Sequence, residues 1–565
     1  MKISRSKFLH MAAGAVAYTS LGRHAKVFAA GGRTADLVLT GGVITTMNDA
    51  KPFASAMAIR DGKVLAVGTD LELSGCIANR THVIKLAGRG VSPGLIDAHS
   101  HPMAYGHMEL MFVIIRPPKV TDFDSLKKTL SHAAKSVPEG EWIVARGFQD
   151  FKEGHFPGRA VLDDAVPKHP VLTIHWSGQY GVANTAALKK AGLFSPDVED
   201  PYGGKFVRER TTGLPNGVLI HYPAIYAVYK PVLNEQEMLK CIRWAVQQFH
   251  SAGVTCIHDN FILPQYNKNY VKLEREGDLN MRIRLYPYIA NLQQAETVLA
   301  KMVHYRGSLV RVQGIKLAVD GYALMYESQP EHQHIALPMH PQPIFEQIVA
   351  AIHRGDWQVD VHAAGDKGVD WTLQAFEKAA GGVRQARERR HRIEHFAFRK
   401  LDSIRKAAEM NVPVCVQPTL MDFRVDDFTR RLGSPVKKYM GTIVPTRTFL
   451  QQGVPLAFGA DVPAFPYFAP MDSIRCAMSR KTHSGRQLDT TESISFLEAL
   501  KVHTRGNAYA AFDETELGSL EPGKAADFVI WDKDLRNVKT PGDVSNLHVR
   551  ATYLAGRCVY QAKET

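Results

Sequence analysis

Between Leu95 and Asp461 the sequence alternates short apolar runs with longer amphipathic stretches, and this alternation limits the fold more than any other feature. A strand followed by a helix, repeated, lays parallel strands side by side and covers them with helices. Eight runs fit such strands: Leu95–His99, Thr255–Asp259, Leu285–Ile289, Ile315–Val319, Val359–His362, Arg392–His395, Val414–Gln417 and Ala457–Asp461. Eight parallel strands close into a (β/α)8 TIM barrel, an α/β fold whose sites form at the C-terminal strand ends. About 150 residues separate the first run from the second, too many for one βα unit, which predicts a large insertion after strand 1 at about 103–250. The runs Trp142–Ala145 and Val171–Trp176 and a helix near Glu235–Ala252 fall inside it. An insertion at that point stands over the barrel mouth and shapes a substrate pocket.

The two ends of the chain read differently. Asp36–Thr40, Gly42–Thr45, Ala56–Ile59, Lys63–Val67 and His82–Lys85 are strand-like and separated by Gly and Asp-Gly turns. Ala526–Trp531 and Val549–Leu554 repeat the pattern near the C-terminus. The expectation is a small β-sandwich built from both termini, 31–90 with 510–565, and a hydrolase-type barrel domain over 91–509.

Polar residues gather at the ends of the barrel runs. His99 and His101 form a His-x-His pair, and residues i and i+2 of a strand point the same way, as a chelating pair must. Lys316 lies in the fourth run, His362 ends the fifth, His395 the sixth and Asp461 the eighth. Imidazole and carboxylate ligands suit a divalent metal, Zn²⁺ first, at one or two ions per chain. A lone buried His is more often a satisfied core residue. The ordered placement on runs one, four, five, six and eight is the signal. Among the neighbours, Asp97, Asp320 and Asp366 are expected to support the ligands or the substrate from behind, Asp366 alternatively as a helix N-cap, and Arg392 and Glu394 read as a barrel ion pair.

These residues carry a resemblance. Pro93-Gly-Leu-Ile-Asp-Ala-His-Ser-His101, Ile315-Lys-Leu-Ala-Val-Asp-Gly321, His362-Ala-Ala-Gly-Asp366, Arg392-Ile-Glu-His395, Gly459-Ala-Asp-Val-Pro463 and Gly518–Asp527 resemble the metal-dependent amidohydrolase superfamily. The closer likeness is to its amidohydrolase-3, or YtcJ-like, branch, which includes N-substituted formamide deformylases. The resemblance spans roughly 36–560. It implies that His99, His101 and Asp461 bind one metal, that His362 and His395 bind a second, and that Lys316, carboxylated on its amine, bridges them. It also implies attack by a metal-activated hydroxide, with Asp461 as proton shuttle and catalytic residue. One position departs from the pattern: Gln179 stands where the family carries a His, and Gln179 can donate a hydrogen bond to substrate but cannot titrate.

The function expected on this basis is hydrolysis of a non-peptide C–N bond in an amide, formamide or cyclic amide. Two alternatives stand beside it: an ester or lactone hydrolase on the same site, and a non-catalytic exported metal- or ligand-binding protein. Trp176, Tyr180, Phe465, Tyr467 and Phe468 hint at an apolar substrate, although packing is their commoner use.

Charge and composition exclude other partners. Of the formal +13, five charges lie in residues 1–30, leaving +8 with no basic stripe interleaved with aromatics, which argues against nucleic acid. Lys2, Arg5 and Lys7 ahead of the apolar run Met11–Leu21, with Val27-Phe-Ala29 before Ala30, read as a signal peptide over 1–30 and as export to the periplasm. Ser4-Arg-Ser-Lys-Phe-Leu9 is similar to a twin-arginine signal with Ser6 in place of the second Arg, so a Sec route stays open. No other apolar run reaches bilayer length. The six cysteines are scattered without a Cys-x-x-Cys pair. The expected partner is a small-molecule substrate, and the sequence leaves a homodimer open.

Overall fold

The computed structural model describes residues 34–563, except 150, 177, 179, 202–203, 231–232, 321–337 and 433–440, and except the side chains of 423 and 427–432. The expected signal peptide, 1–30, and Gln179 lie outside the described residues.

Eight parallel strands correspond to the eight runs: β1 Leu95–Ser100, β2 Val254–Ile262, β3 Arg282–Pro287, β4 Gly314–Ala318, β5 Gln358–Ala363, β6 Arg392–His395, β7 Val414–Val416 and β8 Leu456–Phe458. Nearly every residue in them is buried. Burial on both faces does not make every run apolar: β3, β5 and β6 alternate apolar residues with the buried polar residues Arg282, Arg284, Gln358, Asp360, Arg392 and Glu394. The ladders form two sheets rather than one closed ring. Val310–Val312 pairs with β3, then Gln313 interrupts, and β4 pairs with β5. A single parallel bridge, Tyr288 to Lys316, joins the sheets on that side. Opposite, Asp461 N–H donates to His99 C=O at 2.6 Å and His101 N–H to Val462 C=O at 2.9 Å. The arrangement is an α/β, barrel-like fold.

The outer helices follow from their apolar spacing. Gln342–Arg354 buries Phe345, Ile348, Val349 and Ile352, an i, i+3, i+4, i+7 stripe. Glu235–Ser251 starts with a capping box between Asn234 and Glu237 and buries Met238, Ile242, Ala245 and Phe249. Among the described residues no helix is long and apolar enough to cross a membrane.

Between β1 and β2, residues 113–220 contribute a separate six-stranded sheet that includes Ile143–Phe148, Val171–His175 and Tyr180–Ala183. Its two faces bury different cores. Ile143 and Ala145 pack with Leu126 and Leu162, whereas Val144 packs with Leu172 and Phe206 on the other side. That is the period-two alternation of a strand covered on both faces.

The chain ends also share a sheet. Phe528–Trp531 pairs antiparallel with Gly90–Pro93, which pairs parallel with Val43–Thr45. A second, four-stranded sheet contains Leu37–Thr40, Ala56–Arg60, Lys63–Gly68 and His82–Lys85. Leu39 and Ile59 from this sheet share one apolar core with Val91, Phe528 and Ile530 from the first. The terminal unit is bolted to the barrel by Asp527, whose carboxylate accepts two bonds from Arg282 at 2.7 and 3.1 Å.

Candidate metal centre

The C-terminal ends of β1, β4, β5, β6 and β8 bring His99, His101, Lys316, His362, His395 and Asp461 together. The ring centroids of His99 and His101 are 5.3 Å apart, those of His99 and His395 5.0 Å, and those of His362 and His395 4.2 Å. One ligand atom each from His99, His395 and Asp461 lies within 4.8 Å of the others. Asp461 Oδ1 is 3.1 Å from His101 Nε2 and 3.5 Å from His99 Nε2.

Local backbone explains part of this convergence. The eighth run was expected to end its strand at Asp461, but β8 stops at Phe458 and Asp461 adopts φ of 55°. His395 closes β6 at φ of 81°. Left-handed backbone at non-glycine residues costs about 1–3 kcal/mol and persists where the surroundings enforce it. Gly459 allows the approach of β8 to β1, because a Cβ there would sit 2.5 Å from His99 Cβ and 2.6 Å from its backbone N. The Gly-x-Asp spacing thus places the carboxylate across from the first histidine pair.

Hydrogen bonds behind the ligands fix their orientation. Glu394 holds His99 Nδ1, and Gln417 Oε1 accepts from His395 Nδ1 at 2.7 Å. With Nδ1 held as the donor, Nε2 of each ring keeps its lone pair for the centre. Glu394 also accepts from Arg392 Nε at 2.7 Å, as its reading as an ion-pair residue implied, and so holds both the cation and the histidine. Asp97 does not reach the centre. It accepts from the N–H groups of His99 and Ala460 at 3.0 and 3.2 Å and from Ser100 Oγ at 2.7 Å, tying the end of β1 to the turn after β8. Asp320 accepts from the N–H groups of Ala364 and Gly365, fixing the turn after His362, and its Oδ1 lies 3.7 Å from His362 Nε2. Asp366 is not an N-cap. Gly365 takes that position, and Asp366 is the buried first residue of Asp366–Ala380.

Several groups in the centre are buried without a hydrogen-bond partner among the described residues: Lys316 Nζ, His362 Nε2, His101 Nδ1 and Asp360 Oδ1. Lys316 Nζ stands 3.7 Å from Asp360 Oδ1, an ion-pair distance but not a hydrogen bond. A buried polar atom without a partner costs about 1–3 kcal/mol, and the unmet acceptors His362 Nε2 and Asp360 Oδ1 fit a nearby cation better than a finished core. The charges agree. Burial opposes a charged His101, yet Asp259 and Asp461 outweigh it and push the ring up to about 9. Burial, then the Lys316 cation, holds His99 well below the usual imidazole range. Burial and the His395 ring do the same to His362. Burial would raise Asp461, but His99 and His101 keep it well below the ordinary carboxylate range. Burial and the neighbouring Glu394 lift Asp360 to about 7.

Sequence reading passed over Asp259, Asp360 and Gln417 as members of this site. Asp259 and Gln417 end the second and seventh runs, and Asp360 sits two residues before His362 on the same strand face. The rule that found His362 and His395, a polar residue where an apolar run stops, finds the first two as well.

Comparison with known proteins agrees with this geometry. The family model described as Amidohydrolase family matches residues 82–560. Protein LONG AFTER FAR-RED 3 of Arabidopsis thaliana is 31% identical over 557 residues, covering 94% of this chain and 92% of that protein. N-substituted formamide deformylase of Arthrobacter pascens is 24% identical over 549 residues, covering 93% and 98%. In fold, an uncharacterized metal-dependent hydrolase from Pyrococcus horikoshii superposes with a TM-score of 0.70 at 22% identity, covering 90% of this chain and 99% of that one.

Proposed function

The chain belongs to the amidohydrolase family, and from that premise we propose that it is a metal-dependent hydrolase of a non-peptide C–N bond, in an amide, formamide or cyclic amide. The observation that carries the proposal is the set of inward-facing histidines and Asp461 beside buried, partnerless Lys316 Nζ and His362 Nε2. In this reading His99, His101 and Asp461 hold one divalent cation, and His362 and His395 hold a second. Lys316 would join the ligand set only with its amine carboxylated, because an ammonium cannot ligate a cation whereas a carbamate offers two anionic oxygens. Zn²⁺ suits this nitrogen and oxygen set. When bound, such a cation supplies a Lewis acid and a water of lowered pKa.

The chain's own residues do the rest. Asp461, kept ionised by His99 and His101, accepts a proton at a carboxylate oxygen and returns it to the leaving amine. Glu394 and Gln417 keep His99 and His395 from turning. The sheet of residues 113–220 limits water: Arg146 in it bonds the Pro463 carbonyl at 3.1 Å, and Trp176 lies 6.3 Å, centroid to centroid, from Phe465. The name of the Arthrobacter relative supports a C–N bond as the target. The proposal extends to export of the mature chain after removal of residues 1–30, which N-terminal sequencing of periplasmic protein tests.

The deciding experiment is metal stoichiometry on purified mature protein, wild type and Lys316→Ala together, with chelator-sensitive hydrolysis of an amide panel. About two metals per chain, falling in the variant, support the bridged pair. One metal in both removes the lysine bridge. No tightly held metal and no chelator-sensitive hydrolysis overturn the reading.

A further inference from the structure

Arg146 is an isolated cation at the mouth of the barrel. It lies on Ile143–Phe148 in the sheet of residues 113–220. Its Nη2 donates to the carbonyl oxygens of Trp176 and Pro463 at 3.3 and 3.1 Å, and Pro463 is two residues beyond Asp461. Neither carbonyl carries a neutralising charge. Its Nε is buried and has no partner, and its Nη1 bonds no described residue. The carboxylates whose charge reaches it are engaged elsewhere: Glu109 holds Arg116 in a two-pronged pair at 2.9 and 3.1 Å, and Asp461 holds His99 and His101. Burial lowers the guanidinium to about 10, the direction expected of a cation without a counter-ion. In the barrel strands Arg282, Arg284 and Arg392 all face carboxylates, and buried Arg480, which like Arg146 bonds only carbonyls, has each of its three nitrogens matched. A buried donor such as Arg146 Nε is left unmatched at a cost in stability unless something else fills it.

A second cation stands nearby. Arg424 lies over Trp176 and Phe465, 5.0 and 5.8 Å from the ring centroids, and its charge reaches His362. The mouth thus presents two guanidinium groups, Arg146 on the Trp176 and Pro463 carbonyls and Arg424 over the Trp176 and Phe465 rings.

We propose that Arg146 recognises an anionic group on the substrate, so that the favoured substrate is an N-acyl compound bearing a carboxylate, with its apolar part against Trp176 and Phe465. This rests on the hydrolase reading for the bond that is cleaved, but not for the anion that is bound. Carboxylate and guanidinium match in a two-pronged geometry that Lys cannot copy.

The test uses the zinc-loaded full chain and a matched pair of ligands, 3-phenylpropionate and 3-phenylpropionamide, with calorimetry on wild type, Arg146→Gln and Arg146→Lys. The expected result is a preference of about tenfold or more for the carboxylate in wild type. Arg146→Gln abolishes that preference without changing amide binding, and Arg146→Lys keeps only part of it. Equal binding of the two ligands by wild type overturns the proposal. So does a preference that survives in Arg146→Gln, since the anion then sits on the metals. Thermal unfolding of each variant checks folding, and Arg146→Lys carries the comparison if Arg146→Gln unfolds. Hydrolysis of N-acetylphenylalanine against its carboxamide separates the two readings: carboxylate binding lost in Arg146→Gln with neither compound cleaved upholds the anion site and removes the hydrolase reading.

Discussion

The barrel treats its buried charges in opposite ways at its two ends. In the first half of β3, Arg282 meets Asp527 and Arg284 meets Asp513, each through two bonds between 2.6 and 3.2 Å, and Arg311 adds a second cation to Asp513 at 2.7 Å. None of the buried side-chain atoms of Arg282, Arg284, Asp513 or Asp527 lacks a hydrogen-bond partner, and of this group only Arg311 leaves one, its Nε. At the other end Lys316, His362, His101 and Asp360 each leave a buried atom unmatched. Low polarity strengthens a completed network and penalises an incomplete one. The finished end joins the barrel to the C-terminal segment and serves stability. The unfinished end is where the proposed cation and substrate would bind.

This contrast breaks first at Asp513. Asp513→Ala strips two buried guanidinium groups of their carboxylate and should cost about 3–5 kcal/mol of unfolding free energy in a denaturant titration. A cost under 1 kcal/mol would show that the finished end is not structural. At the mouth the effect should fall on activity instead. Asp461→Asn should lower kcat by about 10²- to 10⁴-fold on whichever amide the wild type cleaves. Its thermal midpoint should stay close to that of wild type, and a large fall would assign Asp461 to the scaffold. Gln417→Ala, which frees His395 Nδ1, should weaken metal binding by about 10- to 100-fold in a chelator competition while leaving the fold intact.

The smallest effect sharpens the division by testing its exception. His503 is buried away from the mouth, with Nδ1 3.3 Å from the Ile96 carbonyl and Nε2 unpartnered. Burial lowers it to about 4. A histidine depressed below its unfolded value of 6.5 contributes stability that is present above pH 6.5 and is lost as pH falls towards 4. Its share by pH 5.5 is about 1–2 kcal/mol. His503→Gln should flatten the unfolding free energy between pH 7 and 5.5 by that amount. An unchanged slope would place the acid sensitivity elsewhere.

Legibility followed the same division. The eight strands were readable because each carries buried apolar residues over a short span between helical stretches, and each observed strand overlaps its run. The metal-facing histidines were readable because they end those runs. Asp97 supports the site from behind, as expected, but through the backbone N–H groups of His99 and Ala460, whereas the N-cap alternative for Asp366 failed because Gly365 takes that position. Glu394 read as an ion-pair partner of Arg392 and is one, but its second partner, His99, is 295 positions away. Arg146 carried no signal at all, for a lone Arg in a strand reads as surface until the loop after β8 is seen to close over it.

By itself the sequence determined the order of elements, the strands that line the barrel and the residue types available at their ends, because these depend on periodicity and local chemistry. Only the tertiary structure decided which donors meet which acceptors. It tied the turn after β8 to β1, set Asp461 in left-handed backbone against the histidines, and left Arg146 without a counter-ion. Whether a buried polar atom is satisfied depends on atoms brought from hundreds of residues away, and no local pattern records that.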